Sequence, residues 1–294
     1  MTRLALLAAT TLVAIHGSAA PSPGTIVFWT DSPVPSLRAM RADGTHLRRI
    51  PARQNAKRPA LSPDRRWIAF DGTPPGKPPL SDFDVQLVRL DGTRQRTVFA
   101  TRDWELGAQW SPDGRRLAFA KMPPGADWRR SVVCTVRTDG TGLRRLGPGT
   151  DPHWSPDGTK LLVAAPGAAS EGDLFVVDAE GGGRALLLAN GQLKQPAGWS
   201  PDGSRILFTQ WQSAGVGVYA HADVYVMEAD GSRVRRLTRD PADDLAAGWS
   251  PDGTRILFTS DRNGRSQIFV MNLDGTHVRN LSGRRVDEFD PSWR

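Results

Sequence analysis

The chain has 294 residues, of which 39% are hydrophobic and 23% charged, and its formal net charge is +7. This length and hydrophobic content suffice for one large domain with a substantial core. The 23 prolines and 30 glycines are compatible with disorder by number alone, but many of them recur at fixed places in turns, which excludes a disordered chain.

The first predicted element is a signal peptide over residues 1–20. Arg3 precedes an apolar run over residues 4–15, and small residues follow up to Ala20. A basic start, a short apolar stretch and a small-residue cleavage site are typical of secretory signal peptides. We therefore expect cleavage near Ala20 and a periplasmic or secreted protein without a membrane span. The alternative is an uncleaved N-terminal anchor, for which the apolar run is short.

An internal repeat organises the rest of the chain. The segment Trp-Ser-Pro-Asp-Gly begins at Trp110 and recurs from Trp154, Trp199 and Trp249, and a degenerate copy begins at Leu61. The copies start 44 to 50 residues apart, which is the period of β-propeller blades.

Each unit predicts four short strands. The first strand ends at the Trp, the Ser-Pro-Asp-Gly segment forms a tight turn, and an apolar strand such as 206–208 follows. After a variable loop, a third strand such as 223–227 leads into a second tight turn and a fourth strand such as 234–237. The second turns begin at Asp43, Asp91, Asp139, Glu180, Asp230 and Asp274.

The two ends of the chain complete the ring. Residues 26–50 supply strands two to four of a blade, and residues 290–293 supply a first strand. The sequence therefore predicts an all-β fold, with a single six-bladed β-propeller domain over residues 21–294. Its blades have four antiparallel strands each, and N- and C-terminal segments share one blade.

The Trp-Ser-Pro-Asp-Gly turn, the apolar strand and the strand at 223–227 together resemble the repeat of the TolB-like propeller family. The resemblance covers the propeller only, from about Gly24 to Arg294, without the N-terminal α/β domain of TolB. It implies a protein that binds partners of the cell envelope at the mouth of the central channel. Related repeats also form the propeller half of prolyl-oligopeptidase-type enzymes.

The order of the strands places all tight turns on one face, here called the tight-turn face, and all long loops on the other, the long-loop face. Binding residues on such scaffolds usually lie in the long loops. The loops over 121–130 and 210–222 contain aromatic residues and a histidine, which we predict to be binding anchors. They are Trp128, Trp211, Tyr219 and His221. The alternative is that they pack back onto the blades.

Charged residues precede the repeated Trp at two fixed distances. Five residues before it lie Glu105, Asp244 and Glu288, with Lys194 at the equivalent place, and three residues before it lie Asp151 and Asp290. Because first strands line the channel, we expect these groups, with His153, to surround its mouth and to receive a basic peptide or a cation. The alternative is that they cap amides of the crossing loops.

The sequence gives little support for catalysis. It contains no G-x-S-x-G nucleophile motif, and its histidines have no close metal-ligand spacing. Cys134 is the only cysteine and is interpreted as a core residue. No cofactor is predicted, and whether the channel holds a cation is left open.

These patterns together predict an exported, non-catalytic, monomeric propeller that binds a protein or peptide of the envelope. The alternative function is a small propeller enzyme, a hydrolase or lyase acting on a sugar, lactone or peptide at the channel mouth. A third is binding of a polyanion, although the arginine pairs are spread widely around the ring, which argues against nucleic acid.

Overall fold

The structure is a computed structural model that describes residues 24–294 apart from 32–33, 53–54, 74–76, 78–81, 168–171, 216–217 and 284–285. Side chains are not described over 213–219, and the predicted signal peptide lies outside the described residues. A short 3-10 helix, Trp128–Arg130, is the only helix in the described part of the chain. Among those residues, therefore, no helix is long and apolar enough to cross a membrane.

Six antiparallel sheets of four strands form the blades of a propeller, as the repeat predicts. Blade 1 contains β24 (Glu288–Trp293), β1 (Thr25–Thr30), β2 (Ser36–Arg41) and β3 (Arg48–Arg49). Blade 2 contains β4 (Lys57–Leu61), β5 (Trp67–Gly72), β6 (Asp84–Arg89) and β7 (Arg96–Phe99). Blade 3 contains β8 (Trp104–Trp110), β9 (Arg116–Met122), β10 (Val132–Arg137) and β11 (Arg144–Pro148).

The second half of the ring repeats this order. Blade 4 contains β12 (Thr150–Trp154), β13 (Lys160–Ala165), β14 (Asp173–Asp178) and β15 (Arg184–Leu188). Blade 5 contains β16 (Lys194–Trp199), β17 (Arg205–Gly215), β18 (Val218–Glu228) and β19 (Arg235–Arg236). Blade 6 contains β20 (Asp244–Trp249), β21 (Arg255–Ser260), β22 (Gln267–Asn272) and β23 (Arg279–Asn280).

The chain ends close the ring, which confirms the predicted shared blade. Ile26 of β1 lies opposite Trp293 of β24, and the two strands run antiparallel. At the end of the pairing, the N–H of Thr25 donates to the carbonyl oxygen of Arg294 over 2.8 Å. Blade 1 is thus assembled from both ends of the described chain.

The repeated Ser-Pro-Asp segment forms a turn held by its own side chains. In blade 3, the Ser111 hydroxyl donates to Asp113 over 2.6 Å and accepts from the N–H of Arg116 over 2.9 Å. Gly114 completes the turn with a φ of 69°, in the left-handed region that glycine adopts without strain. The repeated serines and aspartates therefore have a structural role in the turns.

The second tight turn of each blade packs against the preceding blade. Gly140 has a φ of 89°, and a Cβ atom there would lie 2.6 Å from the carbonyl oxygen of Val98 in blade 2. Gly231 meets the carbonyl oxygen of Leu187 in the same way. Glycine is required in these turns both by the backbone conformation and by the close approach of the neighbouring blade.

Three of the repeated tryptophans, Trp110, Trp154 and Trp249, join neighbouring first strands. The indole N–H of Trp110 donates to the carbonyl oxygen of Ala60 in blade 2 over 3.0 Å. Trp249 makes the equivalent bond to Gly198 in blade 5 over 3.2 Å. Outside this ring of first strands, apolar second and third strands are buried between blades, and Cys134 is one of these buried residues, as predicted.

Candidate functional site

Two adjoining cavities occupy the centre of the ring and the loops above it. The first, about 340 Å³, is lined by loop residues such as Trp128 and Trp211, and we call it the long-loop pocket. The second, about 500 Å³, extends along the channel to the prolines of the Ser-Pro-Asp turns. Arg58, Asp151 and Gln195 line both cavities, so these residues lie where the two meet.

The long-loop pocket has tryptophan side chains from two different blades. Trp128 lies in the 3-10 helix after β9, and the N-cap residue Asp127 accepts a hydrogen bond from the N–H of Arg129 over 2.9 Å. Trp211 belongs to β17 in blade 5. The apolar lining is completed by Leu106, Ala120, Met122, Ala164 and Leu193. The structure thus brings together two of the predicted aromatic anchors across blade 4.

Backbone bulges in the first strands carry the charges at the junction. Arg58, Asp151 and Asp290 lie three residues before the repeated Trp or its equivalent, and their φ angles are 46°, 48° and 46°. The strand register shifts at these places. Blade 3 has Gly107 at the same position, with a φ of 67°. Charged side chains therefore occupy a backbone position that favours glycine.

Arg58 is paired with a carboxylate that the sequence analysis did not identify. Its Nη1 lies 3.5 Å from Oδ2 of Asp71, and the carboxylate of Asp71 also accepts from the N–H of Gly107 at 2.9 and 3.0 Å. Burial raises the pKa of Asp71 to about 7, although Arg58 and Gly107 both favour its ionised form. Burial acts to lower the pKa of Arg58, but the carboxylates of Asp71, Asp290 and Asp151 outweigh it and raise that pKa.

The remaining channel residues are engaged differently. Asp290 accepts a hydrogen bond from the indole N–H of Trp29 over 2.7 Å. Burial lowers the pKa of His153 to about 4, against the opposing effects of Asp151 and of a hydrogen bond to the Pro196 backbone. His153 is therefore neutral at physiological pH.

The four groups expected around the mouth are buried, and their binding of a basic peptide or a cation stays a prediction. Glu105, Asp244 and Glu288 have no exposed surface and Lys194 has 1%, although Lys194 does contribute to the lining of the long-loop pocket. Each lies at the start of a first strand, where the chain crosses from the preceding blade. Polar groups buried at such a crossing need internal partners.

The contacts of Glu105 fit the capping alternative, since the N–H of Thr101 donates to its carboxylate over 3.3 Å. The hydroxyl of Thr101 donates to Glu105 over 2.5 Å, and burial raises the pKa of Glu105 to about 7. Lys194 donates to the carbonyl oxygen of Gln192 over 2.6 Å, and burial lowers its pKa.

In blade 6, Arg262 donates to both oxygens of Asp244, at 2.8 and 2.9 Å. Burial raises the pKa of Asp244, although hydrogen bonds from Ser260 and Arg262 oppose the change. Asp244 is buried and Arg262 is partly exposed, and the pair supports the crossing into blade 6.

The two remaining anchor candidates do not add to the described pocket. His221 lies with its Nε2 3.4 Å from Oδ2 of Asp223, and Arg236 approaches the same carboxylate at 2.7 Å. This cluster joins the third and fourth strands of blade 5 and is not part of the described lining of either cavity. The side chain of Tyr219 lies outside the described residues.

Sequence reasoning missed Arg58 and Asp71, although the repeat contains a signal for both. Arg58 stands three residues before Leu61, just as Asp151 stands three residues before Trp154. Asp71 follows Phe70 at the end of the apolar second strand. Aligning the degenerate unit with the complete ones would have identified both positions.

Metal binding finds no direct support in the described residues. They contain no group of three or more His, Cys, Asp or Glu side chains placed to hold a metal ion. At the junction, Arg58 pairs with the carboxylate of Asp71.

Comparison with known proteins assigns the family. Residues 75–222 and 219–294 match the family described as the TolB beta propeller domain. The chain belongs to this family. The resemblance inferred from the repeats is thereby confirmed.

Individual relatives include both TolB proteins and a peptidase. The chain is 32% identical over 111 residues to the uncharacterized peptidase YuxL of Bacillus subtilis, which covers 34% of the chain and 16% of the relative. It is 36% identical over 64 residues to the Tol-Pal system protein TolB of Thioalkalivibrio sulfidiphilus, covering 22% and 14%. The matches thus span less than a fifth of the length of these curated relatives.

The fold is also similar to that of TolB from Acinetobacter baumannii. The crystal structure of that protein superposes with a TM-score of 0.78 at 18% identity, covering 93% of this chain and 67% of the other. At this identity the likeness concerns the fold alone. Membership of the family leaves open whether the propeller binds a partner or assists catalysis.

Proposed function

We propose that this propeller is a non-catalytic binding module of the cell envelope, periplasmic or secreted, whose long-loop pocket takes a segment of a protein or peptide. The observation that carries the proposal is the convergence of Trp128 and Trp211 from two blades above the charged junction at Arg58 and Asp151. Tryptophans held on separate rigid elements are effective anchors for a bound chain.

The size and lining of the pocket favour a short stretch of peptide. A volume of about 340 Å³ lies at the small end of the range for ligand sites and suits one or two side chains of a longer segment. The walls offer apolar contacts through Leu106, Met122 and Leu193. A residue with an apolar body can therefore be buried between the tryptophans.

The charge at the junction favours a basic group in the bound segment. Among the described residues, the carboxylate of Asp151 has no hydrogen-bond or ion-pair partner, whereas Arg58 is paired with Asp71. Asp290 adds a second carboxylate near Arg58. A lysine or arginine that reaches down from the pocket would find an acceptor in Asp151.

The groups available for catalysis are less well placed. No histidine lies among the described lining of the long-loop pocket, and His153 in the channel below is neutral and hydrogen-bonded to the backbone. The alternative, a propeller enzyme that acts on a sugar, lactone or peptide, is favoured by the partial match to the YuxL peptidase. Both functions would place the ligand at the same face.

Selection from a random peptide library tests the proposal. We expect enrichment of peptides in which an apolar residue neighbours a lysine or arginine, measured with the purified propeller. The double variant Trp128→Ala, Trp211→Ala should weaken binding of the selected peptides by at least about tenfold, since each buried aromatic anchor contributes more than about 1 kcal/mol.

The matched control is Leu186→Ala, which removes an apolar side chain that is 58% exposed on the outer strand of blade 4. It should bind like the unaltered protein. Equal affinity for the double variant and the control would contradict a role of the pocket. Cleavage of the selected peptides during the assay would favour the enzyme alternative.

A further inference from the structure

At two repeated positions, the tight-turn face carries arginine on one half of the ring only. Two residues before the Asp-Gly turn, blades 1 to 3 have an arginine, whereas blades 4 to 6 have an acid or an amide. In order around the ring these residues are Arg41, Arg89, Arg137, Asp178, Glu228 and Asn272. Because the positions are equivalent in the fold, the fold itself does not require arginine there.

A second repeated position shows the same division. After the Ser-Pro-Asp turn, blades 4 to 6 have a threonine or serine whose hydroxyl donates to the turn aspartate, as Thr159 donates to Asp157 over 2.9 Å. Blades 2 and 3 have Arg66 and Arg115 at this position and lack that bond. In two turns, therefore, an exposed guanidinium group stands in place of the hydroxyl that stabilises the other turns.

The turn of blade 2 also shows backbone strain at an arginine. Arg65 stands where the other copies of the turn have glycine, and its φ is 58°. A side chain at this angle is strained, and the fold offers glycine as an unstrained choice. A strained residue that local structure does not favour points to a role outside the turn.

Further arginines of blades 1 to 3 lie in these turns and in the outer strands that follow them. Those that are exposed and form neither an ion pair nor a side-chain hydrogen bond with any described residue are Arg41, Arg48, Arg49, Arg65, Arg66, Arg94, Arg115, Arg137 and Arg145. In contrast, Glu228 on the other half pairs with Arg205 at 4.0 Å. The basic half-face, defined by these nine residues, has its guanidinium groups available to a partner.

The turns that carry these groups pack against one another around the ring. A Cβ atom on Gly114 would lie 3.8 Å from the ring of Pro63 in the preceding turn, and one on Gly158 would lie 3.6 Å from Pro112. The turns of neighbouring blades thus pack side by side and have the same length. Many arginines can meet a planar partner at once without rearrangement of the backbone.

We propose that the basic half-face docks on an anionic phospholipid surface. Each guanidinium group presents a planar fork of donors that matches phosphate oxygens. Basic residues held near an anionic bilayer each add to its binding. The long-loop pocket, on the opposite face, would then point away from the lipid.

An exposed aliphatic side chain at the outer rim of the basic half-face favours lipid over other polyanions. Leu143 of blade 3 is 40% exposed beside Arg144 and Arg145. Side chains of this kind gain from burial at the interface of a bilayer. A phosphate backbone or an acidic peptide would offer them no comparable apolar environment.

Flotation with lipid vesicles tests the proposal. The full chain should bind vesicles of phosphatidylcholine and phosphatidylglycerol in equal parts, and not vesicles of phosphatidylcholine alone. The test variant carries Arg65→Gly, Arg66→Thr and Arg115→Thr. Each new residue occurs at the equivalent position in other turns of this chain. Loss of three such charges should lower vesicle affinity on the order of a hundredfold.

A matched control removes three charges from the other half, by Arg205→Thr, Arg233→Gly and Arg255→Thr. It should keep most of the vesicle binding. Equal losses in the two variants would show that net charge alone acts and would overturn the assignment to the basic half-face. Absence of binding by the unaltered chain, or binding to duplex DNA as tight as to vesicles at the same salt concentration, would overturn the lipid assignment.

Discussion

Replacing Asp71 by threonine separates the two roles of this buried carboxylate. Asp71 accepts hydrogen bonds from the N–H of Gly107 in the next blade and is the ionisable partner of Arg58. In blade 5, Thr209 accepts the equivalent bond, from the N–H of Ala246 over 2.8 Å. The variant Asp71→Thr therefore keeps an acceptor for the neighbouring blade and removes the group that titrates.

The direction and size of the pH effect follow from the pKa. Burial raises the pKa of Asp71 from 3.8 to about 7, in spite of Arg58 and Gly107. The pKa of Asp71 is higher in the folded than in the unfolded protein. Its protonated form therefore contributes fully to the free energy of unfolding below the unfolded pKa, and this contribution is lost as the pH rises through about 7. From about pH 5 to about pH 8, Asp71 lowers the free energy of unfolding by roughly 2 to 3 kcal/mol.

Urea unfolding followed by tryptophan fluorescence at these two pH values measures the effect. The free energy of unfolding of Asp71→Thr should rise relative to the unaltered protein by that amount between the lower and the higher pH. Asp84 and Glu105 also have raised pKa values, about 6 and about 7, but both proteins retain them, so their contribution cancels. If the free energies of unfolding of the two proteins changed in parallel between the two pH values, the raised pKa would be refuted and Asp71 would be ionised at both.

Three further changes test the packing of the ring by the same unfolding assay. Gly140→Ala should cost at least about 2 kcal/mol, because strain and a close backbone contact add, whereas Gly264→Ala, with a φ of 80° and open space, should cost about 1 kcal/mol. Trp110→Phe should cost about 1 kcal/mol more than Trp199→Phe, since the Trp199 indole N–H has no acceptor among the described residues. Arg262→Met should cost about 3 kcal/mol, because it leaves a buried carboxylate without its cation. Equal losses of stability for the two glycine variants, or for the two tryptophan variants, would contradict the role given to the respective contact. Unchanged stability of Arg262→Met would contradict the role of its ion pair.

The propeller could be predicted from sequence because the repeat records it several times. Turn chemistry, strand lengths and the Asp-Gly hairpins occur in the same order in each unit, so an error in one unit is corrected by the others. The incomplete first and last units predicted that the two ends share one blade, which the pairing of β1 with β24 confirms. Local signals and long-range closure agreed at every blade.

The candidate site could be predicted only in part. The spacing of a residue from the repeated Trp gives its position in the repeat, but not how far its side chain is buried. Glu105 and Asp151 both precede a repeated Trp and both lie on a first strand. Glu105 stands five residues before its Trp and is buried where the chain crosses between blades. Asp151 stands three residues before its Trp and lies at the junction of the cavities. Burial of a charge depends on which partners the neighbouring blade supplies, such as Thr101 for Glu105, and no pattern within one unit contains that information.

The convergence of the loop aromatics also required the structure. Trp128 and Trp211 were recognised one by one as candidate anchors. Their common pocket depends on the ring, because blade 4 separates them. Side chains on loops of different blades meet only once the geometry of the whole ring is known.

The bulge position of the first strands allows structure and function to be separated within one chain. Its six occupants are Arg58, Gly107, Asp151, Pro196, Ala246 and Asp290. Three blades form without a charge there, so the fold does not need one. The charged residues that adopt left-handed backbone angles there therefore point to a function at the junction.

The variant Asp151→Gly tests this conclusion. Relief of the left-handed strain and the greater freedom of glycine in the unfolded chain oppose each other, so stability should change by less than about 1 kcal/mol. Binding of basic peptides should nevertheless fall by about tenfold, since the acceptor for the basic group is lost. A loss of stability above about 2 kcal/mol would show that the Asp151 carboxylate holds the fold, because strain and entropy alone leave no room for such a cost.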